Sequence, residues 1–427
     1  MNRREFLRIV GGAGLAAPAL LSASGCAPVL TRTDTGTGLS LCYAAGDVTH
    51  ENAVIWLRAE PGSQVALQYG TDPAFGQYTS TAPSTVDPRA DFTAQIALEK
   101  LQPGTRYYYR AAVSDKTPGP ISSFVTAPRA DDDEAKVSFC FSADTRESYK
   151  PFTVMNAVRA QRPDFFLYLG DTIYADRNGT ARLLPEFWAK YRTNREDPWL
   201  QGCLRDTSLY VSWDDHEVQD DYLPGNPLAS VGRRAFLDYW PIRRFATEPE
   251  RIYRSFRWGK ALELFVLDVR QYRDLKQGTM LGKAQREWLL NGVSSSPAIF
   301  KFIATTVPMA GGGSDRWDGF PKEREEILRY INDRKLRGIV FLSGDMHCAA
   351  ITRIPRGGGL KDITAGPLAA PLNRITDGTA RRYEYYLAEN FNFAKITVDP
   401  VKDRNKALLE FINQDNQVFH TAKLSAG

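Results

Sequence analysis

The sequence predicts a small all-β sandwich followed by a larger α/β domain, and three observations carry that reading. From about Leu39 to Pro128, strand-length runs are separated by Pro and Gly without a helical period. From Val137 onward, short β-rich apolar runs alternate with segments of helical period. Five of those later runs stop at an aspartate. At 427 residues, with 43% hydrophobic and 24% charged residues, the chain has ordinary globular composition and exceeds the usual size of one domain.

The opening residues, "MNRREFLRIVGGAGLAAPALLSASGCAP", place Arg3–Arg4 and Phe6–Leu7 before an apolar run from Ile9 to Leu21. That run is too short and too weakly hydrophobic for a transmembrane span, and Gly11, Gly12, Gly14 and Pro18 disfavour an ordinary helix. Residues 1–30 therefore read as a twin-arginine export signal, with the export machinery as partner and a periplasmic or extracellular destination. "SASGC" loosely resembles a lipoprotein processing site, with Ala23 where Leu is expected, so a lipid anchor at Cys26 stays open. Beyond it, Cys42, Cys140, Cys203 and Cys348 form neither a CxxC pair nor a zinc spacing, and Cys140 in "VSFCFSA" reads as well as a buried free thiol.

Residues 39–128 contain "NAVIWLRAE", "SQVALQYGTD", "FTAQIALEKLQPGTRYYYRAAVSD" and "ISSFVTAP", short strands at the spacing of an antiparallel sandwich. "LQPGTRYYYRAAV" is similar to the corner and strand of fibronectin type III domains, which implies a module that packs or presents. His50 there reads as a surface residue. The charged hinge "RADDDEAK", Arg129–Lys136, separates it from a domain spanning residues 136–427. In that domain "KVSFCFSAD" precedes "PFTVMNAVRAQ", "DFFLYLGD" precedes "LLPEFWAKYRT", and "SLYVSWDD" precedes "LASVGRRAFLDYW". "LELFVLD" is followed by "LGKAQREWLLNGV", "IFKFIATT" by a helix with the stripe Ile327, Leu328 and Ile331, and "RGIVFLSGD" by a loop. The closing segment from "NFNFAKITVDP" reads as a strand pair that ends the sheet.

The runs stop at Asp144, Asp171, Asp214–Asp215, Asp268 and Asp345. Open α/β sheets bind ligands beyond the carboxyl ends of their strands, so these residues can share one crevice. Asp144 and Asp171 can each be explained as a helix N-cap instead. Several clustered carboxylates repel one another, and a multivalent cation is the economical remedy. In "GDTIYAD", Tyr174 faces the same way as Asp171 if a helical turn begins there; in "SGDMHCA", Asp345 and His347 alternate along an extended loop. Only four histidines exist, and only His216 and His347 fall at strand ends, so an imidazole-rich dinuclear zinc site is excluded by supply. The set Asp144, Asp171, Tyr174, Asp215, Asp345 and His347 suits trivalent iron, Ca²⁺, Mn²⁺ or Mg²⁺, and the tyrosine points to iron.

"GDTIY" looks like the GDxxY element of purple acid phosphatases and other calcineurin-like metallophosphoesterases, and "DDHE" is similar to their GNHE. "GDMH" stands where they carry GHxH. The ordered set "AAGDVTHENAVIWLRA", "LGDTIYAD", "SWDDHEVQDDY", "LDVRQYRD", "MLGKAQREWLL", "DRWDGFPKERE" and "LSGDMHCA" resembles the alkaline phosphatase D family from about residue 40 to about 400. The resemblance implies an α/β/β/α metallophosphoesterase sandwich after a fibronectin-like domain, phosphatase or phosphodiesterase activity, and a dinuclear Fe³⁺–Ca²⁺ centre. By position, Asp171 would bridge the metals, Tyr174 and His347 would bind iron, and Asp345 and Asp215 the second metal, for which Mn²⁺, Mg²⁺ or Zn²⁺ stay open. Asp144 stands where the family's type member has a cysteine, as a carboxylate does in purple acid phosphatases. Gln219, Asp220 and Asp221 stand where the family often has an Asn pair.

The expected chemistry is two-metal hydrolysis of a phosphate ester by an activated water. His216 is the candidate to protonate the leaving alcohol, or to orient a ligand. Arg146 and Arg270 can grip phosphate oxygens, and for Arg270 a network with Asp268 and Arg273 is the favoured role. Trp317 and Phe320 read as cleft mouth or as packing; the glycine runs at Gly311 and Gly357 are loops without a following GK[ST]. Two other readings remain: a hydrolase of other phosphorus compounds on the same centre, and a non-catalytic metal-containing surface protein. A net charge of +4, from 54 basic and 50 acidic residues, argues neither for nor against a nucleic-acid footprint, and no sequence-specific nucleic-acid partner is expected. Oligomeric state is not readable.

Overall fold

The computed structural model describes residue 37 and residues 39–311, 313–375 and 382–427; the expected export signal and Cys26 lie outside the described residues. No described helix is long and apolar enough to cross a membrane. Strands Val137–Ser142, Phe165–Leu169 and Ser208–Ser212 run parallel in the middle of a nine-stranded sheet. Their side chains alternate between two cores. Phe139, Phe141, Phe165, Leu167 and Tyr210 point to one side, and Cys140, Phe166, Tyr168, Leu209 and Val211 to the other. Burial on both faces explains why these strands read as unbroken apolar runs.

The first face packs on a seven-stranded sheet whose strands Leu262–Val266, Phe300–Ala304 and Ile339–Ser343 are again parallel. Phe302 meets Phe139 edge-on at 5.1 Å between ring centroids, within the layer where the sheets meet. Helices Leu184–Arg195, Pro198–Asp206 and Ala229–Tyr239 cover the outer face of the first sheet, and Gly282–Ser295 and Pro321–Asp333 that of the second. Ile327, Leu328 and Ile331 supply the buried stripe of the last helix. The architecture is the expected α/β/β/α sandwich, with the carboxyl ends of both parallel groups at one edge.

Three features differ from expectation. Helix Pro198–Asp206 went unread because it is short; its start is marked by Asp197, which accepts from the amides of Trp199 and Leu200 at 3.0 Å. No helical turn forms between Asp171 and Tyr174, where the backbone only bends. The closing segment adds three strands, Asn392–Val398, Lys406–Asn413 and Val418–Ser425, rather than a pair.

The β-rich segment before residue 128 forms two facing sheets, with Tyr43 of one against Tyr109 of the other at 5.4 Å. One of those sheets, Leu39–Gly46, Ala53–Ala59 and Thr93–Leu98, continues the nine-stranded sheet through parallel pairing of Ala45 with Ser208 and Gly46 with Leu209. Trp56 Nε1 donates to the carbonyl of Asp238 at 2.8 Å, and the Arg195 guanidinium lies 4.4 Å from the Trp56 ring and 4.3 Å from the Trp240 ring. Cys140, Cys203 and Cys348 are buried free thiols.

Candidate metal centre

The aspartates that end the strands meet at the shared edge of the two sheets. Asp144, Asp171, Asp345 and His347 all have left-handed backbone, with φ of 69°, 50°, 58° and 52°. For non-glycine residues this costs on the order of 1 kcal/mol or more each, and such strain concentrates at functional sites. Gly170 permits the crowding: at φ +83° its missing Cβ would lie 2.6 Å from the Cβ of Asp214.

Ligand-type atoms of Asp144, Asp171 and His347 lie within 4.8 Å of one another, as do those of Asp171, Asp214 and Asp215. Asp171 belongs to both groups. Neither carboxylate oxygen of the fully buried Asp144 accepts a hydrogen bond, nor do Oδ2 of Asp214 and Oδ1 of Asp215. Buried carboxylate oxygens without donors are costly, and neighbouring cations would satisfy them. The donor set therefore fits bound cations, and Asp171 is common to both groups.

Second partners orient these groups. His347 Nδ1 lies 2.6 Å from the carbonyl of Pro371, which fixes the proton there and turns the Nε2 lone pair toward Tyr174 Oη at 3.2 Å and Asp144 at 3.6 Å. Glu217 accepts from the amides of Asp171 (3.1 Å), Thr172 (2.6 Å) and Asp214 (2.7 Å), tying together the loops after two adjacent strands. Asn194 donates to the carbonyls of Thr145 and Thr172, both at 2.9 Å, and joins a third loop to them. Asp144 and Asp171 accept no helix-starting amide, so neither is a simple N-cap.

Burial pushes the Asp171 carboxyl well above the usual range, and the charges of Asp215 and Asp144 push it further. Burial likewise lifts Asp214 to about 8 despite Arg270, and raises Asp345 despite Arg316. Asp215 goes the other way, to about 2, because Arg270 and His216 outweigh its burial. Metal-free, the cluster holds protons that cations would replace.

The predicted residues do not all keep their expected places. Asp144, Asp171, Tyr174, Asp215, Asp345 and His347 come together, and Arg146 stands beside them with its guanidinium 5.9 Å from the Tyr174 ring centroid. His216 stacks on Tyr174 at 4.1 Å, and its Nδ1 meets Asp176 at 2.8 Å. Against burial, that bond and the charges of Asp215 and Asp176 raise the imidazole to about 9. Arg270 is no exposed phosphate grip: its side chain is 0% exposed, beneath Asp214, Asp215 and Asp315. Nor does Asp268 pair with its guanidinium; it accepts from Trp213 Nε1 and from the amides of Arg270 and Gln271. Trp317 and Phe320 are core. Asp176 and Arg316, whose Nε donates to Asp345, were not singled out from the sequence.

The pattern of the PhoD-like phosphatases matches residues 139–372, and that of their N-terminal domain matches residues 25–128. The chain belongs to this family. Alkaline phosphatase D of Bacillus subtilis (strain 168) is 25% identical over 376 residues, which is 73% of this chain and 64% of that protein. The match thus spans just under two thirds of that relative's length. Among solved structures, one described as PhoD superposes with a TM-score of 0.80 at 19% identity, covering 92% of this chain and 90% of the other. Purple acid phosphatase PPD1 from yellow lupin seeds superposes with a TM-score of 0.67 at 14% identity, covering 90% and 74%. At those identities the likeness is one of fold, and it supports the two-sheet sandwich described above.

Proposed function

We propose that the chain is an exported, metal-dependent phosphoric ester hydrolase acting on phosphate monoesters or diesters. The observation that carries this is Asp171, shared by two groups of ligand-type side chains in which both oxygens of Asp144, Oδ2 of Asp214 and Oδ1 of Asp215 accept no hydrogen bond. Asp144, Asp171, Tyr174 and His347 would hold one cation, iron on account of the tyrosine; Asp171, Asp215 and Asp345 would hold the other, calcium first, with Mn²⁺, Mg²⁺ or Zn²⁺ as substitutes. Bound there, the pair supplies Lewis acidity toward phosphoryl oxygens and lowers the pKa of water.

The chain's own groups do the rest. Asp176 holds Nδ1 of His216 at 2.8 Å, and Nε2–H, 3.5 Å from the half-exposed Asp220 carboxylate, is the proton available to the departing alcohol. Arg146, which has no carboxylate partner among the described residues, offers its guanidinium to a phosphate oxygen. Export rests on Arg3–Arg4 and the apolar run to Leu21.

Hydrolysis of a chromogenic phosphate monoester and diester, beside Asp171→Asn and with metals supplied in turn, tests the activity. Turnover by the parent that is lost in the variant supports it; equal turnover in both sinks the metal assignment. Retained export after joint Arg3→Lys and Arg4→Lys replacement would remove the export reading alone.

A further inference from the structure

The loop "GGGSDRWDGF" puts two adjacent residues at different depths. Asp315 faces inward and accepts from Arg270 at 2.9 Å and Arg273 at 2.6 Å. Arg316 faces the crevice, donates from Nε to Oδ2 of Asp345, and keeps 24% of its side chain exposed. Its positive charge also lies within the field of Asp315 and Asp214.

A phosphate ester approaching this crevice meets Asp144, Asp171, Asp214, Asp215 and Asp345, so it needs cationic partners at the rim. Arg270 is ion-paired with three carboxylates and has no exposed face. Among the described residues, Arg316 is the arginine that both reaches a candidate ligand carboxylate and stays partly open to solvent. A guanidinium forks onto a carboxylate or a phosphate with equal geometric ease, and a cation seated on Asp345 would compete for the oxygen that Arg316 uses.

We propose that Arg316 is a phosphate-binding residue whose availability depends on the metal site: it is the counter-ion of Asp345 without a cation there, and turns to a phosphoryl oxygen when a cation takes Asp345. This rests on the hydrolase reading above. Cation binding and phosphate binding would then favour each other through one side chain.

Two equilibrium measurements test it: calorimetric titration of the metal-stripped protein with Ca²⁺, and of the metal-loaded protein with inorganic phosphate. Arg316→Gln should weaken phosphate binding by about 10- to 100-fold, the usual weight of a charge-assisted contact, while Ca²⁺ affinity is unchanged or rises. Arg316→Lys, which keeps the charge without the fork, should restore part of the phosphate affinity. If Arg316 merely braces Asp345, Ca²⁺ and phosphate binding fall together, which overturns the proposal. Unchanged phosphate binding overturns it as well. Asp171→Asn separates the two levels: a variant that still binds both cations, or a loaded parent that binds no phosphate, removes the hydrolase reading itself.

Discussion

Buried charge is handled in two opposite ways in this molecule. Where the N-terminal strands meet the larger sandwich, Asp47 (3% exposed) accepts from Nε of Arg254 at 2.8 Å and from the amide of Arg243 at 2.8 Å. Asp91 is held there by Arg58, Arg192 and the hydroxyl of Tyr239. At the crevice, Asp144, Asp214 and Asp215 are as deeply buried, yet each keeps a carboxylate oxygen that accepts no hydrogen bond among the described residues. The lesson is that depth does not mark a site. What marks it is a mismatch between buried carboxylates and the protein's own donors, which among the described residues falls at the crevice.

The sharpest way to break the contrast is at Asp171. In the metal-loaded protein, Asp171→Asn should lower turnover by roughly a thousandfold or more, about 4 kcal/mol of barrier. In the metal-stripped protein the same change removes a carboxyl that its neighbours repel, so the melting temperature at pH 8 should rise. A fall in both would place Asp171 with the structural carboxylates.

Asp47→Ala tests the other side. Leaving Arg254 buried without its partner should cost about 3–5 kcal/mol of stability in denaturant unfolding, with the metal complement of the folded fraction intact. A cost below about 1 kcal/mol would mean that the interface is not held by this pair.

A pH series sharpens the comparison further. Asp214, lifted to about 8, holds its proton in the folded state where the unfolded chain has released it. Its contribution is therefore full below the ordinary carboxylate pKa of about 4 and disappears as pH rises toward 8. His216, raised to about 9, contributes below about 6.5 and loses that contribution as pH rises through 9. The metal-stripped protein should thus melt at a lower temperature at pH 9 than at pH 6, and saturating cations should abolish the difference because they bind better as protons leave. Rising stability of the stripped protein over that interval would contradict both assignments. The smallest effect belongs to the exposed pair Lys283–Glu287 at 3.9 Å, where Lys283→Ala should change stability by less than about 0.5 kcal/mol.

Much of the site was legible because buried parallel strands leave unbroken apolar runs, and an Asp after such a run is conspicuous. "FCFSAD", "LYLGD" and "FLSGD" announced Asp144, Asp171 and Asp345 in that way. Sequence could not divide the labour within "DDHE": Asp214 lies on Arg270, Asp215 faces the cluster, and Glu217 binds backbone amides, distinctions made by residues more than forty positions away. Asp176 carried only a faint signal, two residues after Tyr174. Arg316 lies inside the family-like run "DRWDGFPKERE", but a glycine-rich loop has no period from which its direction can be read. The continuity of the N-terminal strands with the larger sheet was also hidden, because the pairing of Ala45 with Ser208 leaves no local pattern.

That pairing governs how the chain can be built. The strand Leu39–Gly46 leaves the ribosome well before its parallel neighbour Ser208–Ser212 has been synthesised. Until then one edge of the early sheet has unpaired amides and carbonyls, an open template for a second chain. Ser208–Ser212 also leads directly into Asp214 and Asp215, so the event that closes the exposed edge is the one that delivers the crevice its central carboxylates. A nascent chain halted before residue 208 would be both edge-exposed and without a complete metal cage, and competence to bind cations would report completion of the sheet.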